Sequence, residues 1–160
     1  MRRLVPVLAL AATLTGCGLA EPRSCTLIGT PVGVGVTVEP PLAARVASAA
    51  VEVCWDGACH RPRLELHPET RPGAQTCAGE HCSVTVEPTG GRAGFAEVAG
   101  LPKRPVRVRV TLRDSRGERL ADTTIEVTPE GRFPNGPDCG EGGPNAAVVV
   151  DRQGTARLRD

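Results

Sequence analysis

The sequence predicts an all-β fold: an antiparallel sandwich of the immunoglobulin or fibronectin type, with about seven to nine strands and stapled by disulfide bonds. Short runs in which apolar residues alternate with polar ones recur along the chain, and glycine-containing turn motifs separate them. Six cysteines follow the N-terminal region. Only residues 42–49 have the composition of a short helix, so the alternating runs are expected to supply the core.

These runs define the expected strands in order. The turns at residues 114–117 (DSRG) and 151–154 (DRQG) both end in glycine, as hairpins with a glycine bulge do. Residues 68–76 show no clear alternation and are predicted to form a loop. Because the chain has one Trp, two Phe and no Tyr, a core of valine, leucine and alanine is expected. The alternating runs are residues 32–38, 49–54, 59–67, 84–86, 106–112, 125–127, 148–150 and 156–158.

The N-terminus has the layout of a secretory signal. Two arginines precede an apolar run at residues 4–14, which is too short to span a bilayer. Residues 14–17 (LTGC) resemble the bacterial lipobox, in which the cysteine thiol receives a diacylglyceryl group and becomes the first residue of the mature protein. The resemblance implies that residues 1–16 are removed and that Cys17 carries lipid.

The domain organisation follows from this leader. Residues 1–16 are the signal peptide, residues 17–24 a short tether, and residues 25–160 a single β-sandwich domain. Fully extended, residues 18–24 span at most about 25 Å, so the domain is expected close to the membrane. Removal of the leader takes two arginines and no acid, which changes the formal charge from +1 to −1. A net charge so close to zero does not favour nucleic acid as a partner. The expected partner is the cell membrane, reached through lipid on Cys17 at the extracytoplasmic face.

A hairpin is predicted around residues 56–57 (DG), a dipeptide that favours a type I′ turn. The resulting register opposes Cys54 and Cys59 as a non-hydrogen-bonded pair, at a distance that a disulfide accepts. It also opposes Glu52 and Arg61 as a cross-strand ion pair. A single register thus accounts for the bridge and for the charge pair.

The other four cysteines suggest two further bridges. Cys77 and Cys82 repeat the same spacing, and residues 79–80 (GE) are compatible with a type II′ turn. Cys25 and Cys139 are left over, and a bridge between them joins the start of the domain to its last loop. An even number of cysteines in an exported chain favours disulfides.

The competing interpretation of the cysteines is a metal site. His60 and His81 lie beside the two Cys-x4-Cys pairs, so the sequence offers sulfur and imidazole ligands for zinc or copper. Structural zinc usually has shorter ligand spacings, and an oxidising compartment favours bridges. We therefore expect no metal and no other cofactor.

Three stretches carry a resemblance to a known group of proteins: residues 53–59 (VCWDGAC), 99–102 (AGLP) and 133–144 (FPNGPDCGEGGP). They are similar to stretches of uncharacterised lipoproteins from Streptomyces and related actinobacteria, over nearly the whole mature chain. The resemblance implies a lipid-anchored protein with an immunoglobulin-like β domain. It implies no particular activity, because none is assigned to that family.

Two surfaces are candidates for binding. Arg107, Arg109 and Arg113 form a basic stripe that suits an acidic partner, a wall polymer or lipid headgroups. The same stripe also fits a solvated sheet face whose arginines pair with acids of neighbouring strands. The loop at residues 133–145 is rich in Gly, Pro and Asn, and loops at the end of a sandwich commonly carry binding residues. Its polar side chains are Asn135, Asp138 and Glu141, and the two acids are candidate calcium ligands.

No catalytic motif is found in the chain, which contains neither Gly-x-Ser-x-Gly nor His-Glu-x-x-His. We therefore expect a non-enzymatic binding or accessory module, held outside the membrane, with an envelope protein or a cell-wall component as partner. The alternative is a metal-handling surface protein that uses cysteine and histidine residues to bind zinc or copper.

Replacing Cys17 by serine removes the acceptor thiol, so we expect loss of lipid addition and of membrane retention. Labelling of cells with a tagged fatty acid, followed by separation of membranes from soluble material, measures both effects. Ser24→Ala is the control, because it changes a residue that lies outside both the lipobox-like motif and the disulfide framework. Unchanged labelling of the Cys17→Ser protein would exclude the anchor.

Overall fold

The computed structural model describes residues 25–159. The predicted signal peptide, the predicted lipid attachment at Cys17 and the predicted tether fall on residues outside this range, as does Asp160. Among the residues that are described, no helix has both the length and the apolar character needed to cross a membrane. Two short 3-10 helices are present at Leu42–Arg45 and Pro137–Cys139. The ten strands are β1 (Gly33–Val38), β2 (Ser48–Trp55), β3 (Ala58–His60), β4 (His67–Ala78), β5 (His81–Glu97), β6 (Val106–Arg113), β7 (Arg119–Val127), β8 (Glu130–Arg132), β9 (Gly142–Val150) and β10 (Ala156–Leu158).

The strands form two sheets, so the expectation of an all-β fold is confirmed. Sheet A has the order β10–β9–β1–β5–β4, and β8 pairs with β9 beside it. Sheet B has the order β3–β2–β6–β7. Ten strands exceed the seven to nine expected, partly because residues 67–78 form a strand.

The core between the sheets is rich in valine. Strand β1 lies in the middle of sheet A, and its Val34, Val36 and Val38 are fully buried. Valine is stiff about χ1 and packs well on a pleated surface, which suits a core built from two sheet faces. Phe95 and Phe133 are exposed, so aromatic rings do not fill the centre. The other fully buried valine and leucine side chains are Val53, Val106, Val108, Val110, Leu112, Val127, Val148 and Val150.

The prediction for the first hairpin is confirmed. Asp56 and Gly57 both have positive φ angles, 48° and 76°, as a type I′ turn requires. Cys54 lies opposite Cys59 in the β2–β3 ladder and is bridged to it. The Arg61 guanidinium forms an ion pair with Glu52, also as expected. The turn residues alone therefore specify this register.

Residues 25–159 contain three disulfides, and they join the pairs expected from the sequence: Cys25–Cys139, Cys54–Cys59 and Cys77–Cys82. Two of them close hairpins. The third has a sequence separation of 114 and ties the N-terminal segment to the loop before β9. Closing so long a loop restricts the unfolded chain most, so this bridge has the largest expected effect on stability.

The expectation of a purely antiparallel sandwich is wrong for one pair of strands. β1 and β9 run parallel, with Gly33 beside Asn145 and Val38 beside Val150, so sheet A is mixed. A parallel pair requires a long connection, and here the chain passes through all of sheet B between the two strands. No local turn signal in the sequence reports such a pairing.

Residues 68–76 do not form the expected loop but belong to β4. The pairing of β4 with β5 shifts register between Pro68 and Thr70 and again between Pro72 and Gln75. These irregularities break the alternation that would have identified a strand. Most residues of β4 are exposed on both sides, so burial imposes no period of two on them.

The second strand of the first hairpin is shorter than expected, because β3 ends at His60 and not at residue 67. Residues 61–66 leave sheet B and pass over β5 of sheet A. A Cβ added at Gly94 would lie 2.1 Å from the carbonyl oxygen of Glu65, so only glycine permits this close crossing. Residues 42–49 also differ from expectation: the helix stops at Arg45, and β2 begins at Ser48.

The valines of the 84–86 run lie in a strand, as expected, but they do not contribute to the core. Val84 is 51% exposed and Val86 is 70% exposed. They lie in the part of the β4–β5 hairpin that extends beyond β1, whose pairing with β5 stops at Arg92. Alternation therefore identified the strand correctly and its burial wrongly.

Leu112→Ala should lower the free energy of unfolding by about 3 kcal/mol, since it removes a fully buried side chain from the interface between the sheets. Leu158→Ala is the matched control. Leu158 is 48% exposed, and its loss should cost less than about 1 kcal/mol. Denaturant titration followed by circular dichroism measures both. Equal effects of the two substitutions would contradict the placement of the core.

Candidate binding surface

The outer face of sheet B carries the arginine stripe of β6. Valine and leucine side chains of this strand point into the core, so Arg107, Arg109 and Arg113 point to solvent. β6 lies between β2 and β7, which places the stripe in the middle of the sheet. The three arginines therefore share one face, as the sequence predicts.

Asp122 of β7 is the main acidic partner of the stripe. The Nε and Nη2 groups of Arg109 donate hydrogen bonds to its two carboxylate oxygens, each at 2.7 Å. A nitrogen of Arg119 lies 3.2 Å from the same carboxylate. The hydrogen bond from Arg109 lowers the pKa of Asp122, and this outweighs partial burial, which acts in the opposite direction. The same bond raises the pKa of Arg109.

A cleft of about 490 Å³ opens on this face. Its floor is formed by β2 and β6, and residues 61–64 form one wall as they leave β3. Ala50 and Pro62 also line it, so the cleft combines some apolar surface with its charged groups. We call it the arginine cleft, because its charged lining residues are Arg61, Arg63, Arg109, Arg113 and Arg119 together with two acids, Glu52 and Asp122.

The two arginines at one end of the arginine cleft oppose each other. Arg113 of β6 and Arg119 of β7 are cross-strand partners, and both line the cleft. Arg119 shares Asp122 with Arg109, whereas the hydrogen bond of Arg113 within residues 25–159 goes to the carbonyl oxygen of Gly117 at 2.8 Å. Like charges directly opposite each other destabilise a sheet. This end of the cleft therefore has an excess of positive charge that the described acids do not neutralise.

Arg107 lies outside the arginine cleft, in a neighbouring shallow hollow. Its cross-strand neighbours are Cys54 on β2 and Glu126 on β7. The predicted stripe is thus divided by position: Arg109 and Arg113 line the cleft, and Arg107 does not.

Of the candidate residues of the last loop, Asn135 contacts the N-terminal segment and Glu141 contacts Lys103. The Asn135 amide donates a hydrogen bond to the carbonyl oxygen of Ile28 at 2.9 Å, beside the Cys25–Cys139 bridge. Glu141 accepts one from Lys103 at 2.6 Å. Asp138 lies in the short 3-10 helix between these two residues. The contacts of Asn135 and Glu141 thus go to different parts of the chain.

The cysteines and His60, which the sequence offers as metal ligands, make other contacts in the structure. Within residues 25–159, one group of three side chains has the spacing for a metal ion: Glu52, Cys54 and Cys59. The two sulfurs of this group are joined in a disulfide, and Glu52 is paired with Arg61. The His60 ring stacks on Trp55, with ring centroids 4.1 Å apart. His81 lies at the far end of the β4–β5 hairpin, beside the bridged Cys82.

Sequence reasoning missed most of the cleft. Arg119 was detectable, since the turn at residues 114–117 places it near Arg113 across a short hairpin. Residues 61–64 were not, because the sequence predicts that they continue β3 along the sheet. Their departure from the sheet creates the wall of the cleft.

Comparison of the chain with protein-family models, with curated proteins and with solved structures finds no match. Assignment of a function therefore depends on the geometry of this surface.

Stability should fall at acid pH as three aspartates become protonated. Arg104 lowers the pKa of Asp56 through a hydrogen bond, and Arg109 does the same for Asp122. Burial opposes the charge of Asp114, but hydrogen bonds from the N–H groups of Glu118 and Arg116 lower its pKa overall. A carboxylate with a lowered pKa stabilises the fold fully above its ordinary value of 3.8, and this contribution is lost as the pH falls through the lowered value.

The thermal midpoint should therefore be constant above about pH 5 and fall below about pH 4. Asp122→Asn should lower the midpoint at neutral pH and make the acid decline shallower. Glu126→Gln, on the same strand outside the arginine cleft, is the control and should leave the profile unchanged. An acid decline that Asp122→Asn leaves unaltered would contradict the assignment.

Proposed function

We propose that the protein is a lipid-anchored, extracytoplasmic, non-enzymatic module that binds an anionic group, phosphate or carboxylate, in the arginine cleft. The opposed pair Arg113 and Arg119 is the observation that carries the proposal. An anion bound between the two guanidinium groups removes their repulsion and gains charge-assisted hydrogen bonds. The planar guanidinium fits phosphate and carboxylate oxygens in a two-pronged arrangement, which a flexible lysine does not offer.

The disulfides support the extracytoplasmic part of the proposal. Bridges persist in oxidising compartments and are rare in the cytosol of most bacteria. The lipobox-like residues 14–17 and the resemblance to actinobacterial lipoproteins support the anchor. The Cys25–Cys139 bridge fixes the start of the described chain to one end of the sandwich. A short tether would hold that end of the domain next to the membrane.

The chemistry of the cleft favours binding over catalysis. Asp122 is held ionised by Arg109, so it is a poor proton donor at neutral pH. Thr111 is the only hydroxyl side chain among the lining residues, and no histidine or cysteine lines the cleft. We further propose a relationship to immunoglobulin- or fibronectin-like domains, supported by two packed sheets whose strands are joined across the core.

Arg113→Gln and Arg119→Gln should each weaken anion binding at least about tenfold, because each removes one charge-assisted contact. Isothermal titration calorimetry with tripolyphosphate and with an oligoglutamate peptide measures the affinity and distinguishes phosphate from carboxylate as the preferred group. Binding should weaken as salt is added.

Arg132→Gln is the control, since Arg132 lies on β8 of sheet A and its loss changes the net charge by the same amount. It should leave the affinity within about twofold of the unsubstituted protein. If neither probe binds, or if all three substitutions weaken binding equally, the arginine cleft is not the site.

A further inference from the structure

The outer part of the β4–β5 hairpin projects from the sandwich as a two-stranded ribbon. We call residues 70–88 the arm. The arm begins beyond Arg92, where pairing with β1 ends. Every residue of the arm is exposed except Gly73, which is half-buried. At about 3.3 Å per residue, the strand from His81 to Gly91 extends roughly 30 Å.

The two faces of the arm differ in character. On one face, Thr76 and Ser83 share a hydrogen bond of 3.1 Å, and Arg71 forms an ion pair with Glu87. This face satisfies its own polar groups. The other face carries the Cys77–Cys82 disulfide and, along β5, the side chains of Val84 and Val86, with Pro72 opposite Val86. An isolated two-stranded hairpin is marginally stable in water, and the disulfide near its tip compensates for this.

The two edges of the arm also differ. The outer edge of β4 contains Pro68 and Pro72 and two breaks in register, features that prevent an edge strand from pairing further. The free edge of β5 has none of these over residues 82–87 (CSVTVE). Three consecutive β-branched residues, Val84, Thr85 and Val86, favour strand pairing. We call the outer edge of β4 the guarded edge and the free edge of β5 over residues 82–87 the open edge.

The backbone of β5 presents its polar groups to the open edge at alternate residues. The bridged cysteines Cys77 and Cys82 form a non-hydrogen-bonded pair of the β4–β5 ladder. The next pair, Thr76 and Ser83, is therefore hydrogen-bonded, so the backbone N–H and C=O groups of Ser83 point towards β4. The N–H and C=O groups of Val84 and Val86 then point away from β4. No described strand lies beside them, since β1 pairs only with residues 92–97. Pro88 ends this row, because it has no N–H to donate.

We propose that two copies of this chain associate by antiparallel pairing of their open β5 edges, centred on Thr85. In this register Val84 of each copy faces Val86 of the other, and each such pair can exchange two backbone hydrogen bonds. Ser83 of each copy faces Glu87 of the other, and Thr85 faces its own counterpart, a favourable cross-strand pair. No like charges are opposed. The edge is self-complementary, which favours a second copy over an unrelated strand.

The lengths of the strands limit the assembly to two copies. The open edge from Cys82 to Pro88 has Thr85 at its middle, so this register uses the whole edge. The tip of one arm then lies beside Gly90 and Gly91 of the other, next to Pro40 and Val38, where the body of the second copy begins. The guarded β4 edges lie on the outside of the resulting four-stranded sheet, so pairing closes with two-fold symmetry and does not propagate.

Light scattering after size-exclusion chromatography of the full chain, purified in a mild detergent whose mass is subtracted, tests the pairing. We expect a dimer in equilibrium with monomer, with a dissociation constant in the micromolar range, since the interface is small. Val84→Lys and Val86→Lys place a charge on the open edge and should each weaken dimerisation at least about tenfold.

Gln75→Lys is the matched control. Gln75 lies on β4 opposite Val84. The Gln75→Lys substitution therefore adds the same charge at the same distance from the tip, and it should leave the dimer intact. Thermal unfolding of all variants checks that the arm and the sandwich remain folded. A protein that stays monomeric at about 100 µM overturns the proposal, as does a dimer that tolerates both lysines on β5. Neither outcome bears on anion binding in the arginine cleft.

Discussion

Packing of valine side chains between two sheet faces is the interaction on which the rest of the structure depends. Aromatic residues make up 2% of the chain, and the two phenylalanines lie at the surface, so burial of short β-branched side chains provides most of the hydrophobic stabilisation. Valine reaches only a short distance from its backbone. The sheets therefore need matched faces along several strands, and β1 has to be covered by neighbours on both sides. Its parallel pairing with β9 and antiparallel pairing with β5 provide that cover.

The packing of one face of sheet B against the core explains why its charged side chains lie on the opposite face. Since one face of sheet B is committed to the core, every arginine of β6 faces solvent on the opposite side, and there they meet the acids of β2 and β7. The surface is not fully neutralised, because the bulge at the end of β6 brings Arg119 opposite Arg113. Like charges opposed in this way destabilise the sheet, and this repulsion is what the proposed binding of an anion would relieve.

The arm, in contrast to the rest of the two sheets, is not held by packing of buried side chains. Its residues contribute almost nothing to the core, and a disulfide near the tip compensates for the missing hydrophobic support. Proline and register breaks protect one of its edges, whereas the other is left open over a run of strand-forming residues. Protection of a single edge indicates that pairing is prevented on one side and allowed on the other. The arm lies at the end of sheet A opposite the Cys25–Cys139 bridge.

The sequence by itself determined the features that depend on near neighbours in the chain. The turn at Asp56-Gly57 specifies the register of its hairpin, and with it the Cys54–Cys59 bridge and the ion pair of Glu52 with Arg61. Alternation identified β1 and β6, because burial of one face imposes a period of two. Only the tertiary structure decided the parallel pairing of β1 with β9, the path of residues 61–66 over Gly94, and the exposure of Val84 and Val86. These features depend on contacts between residues far apart in the chain, and the local alternation of side chains carries no information about which distant strand, if any, will cover them.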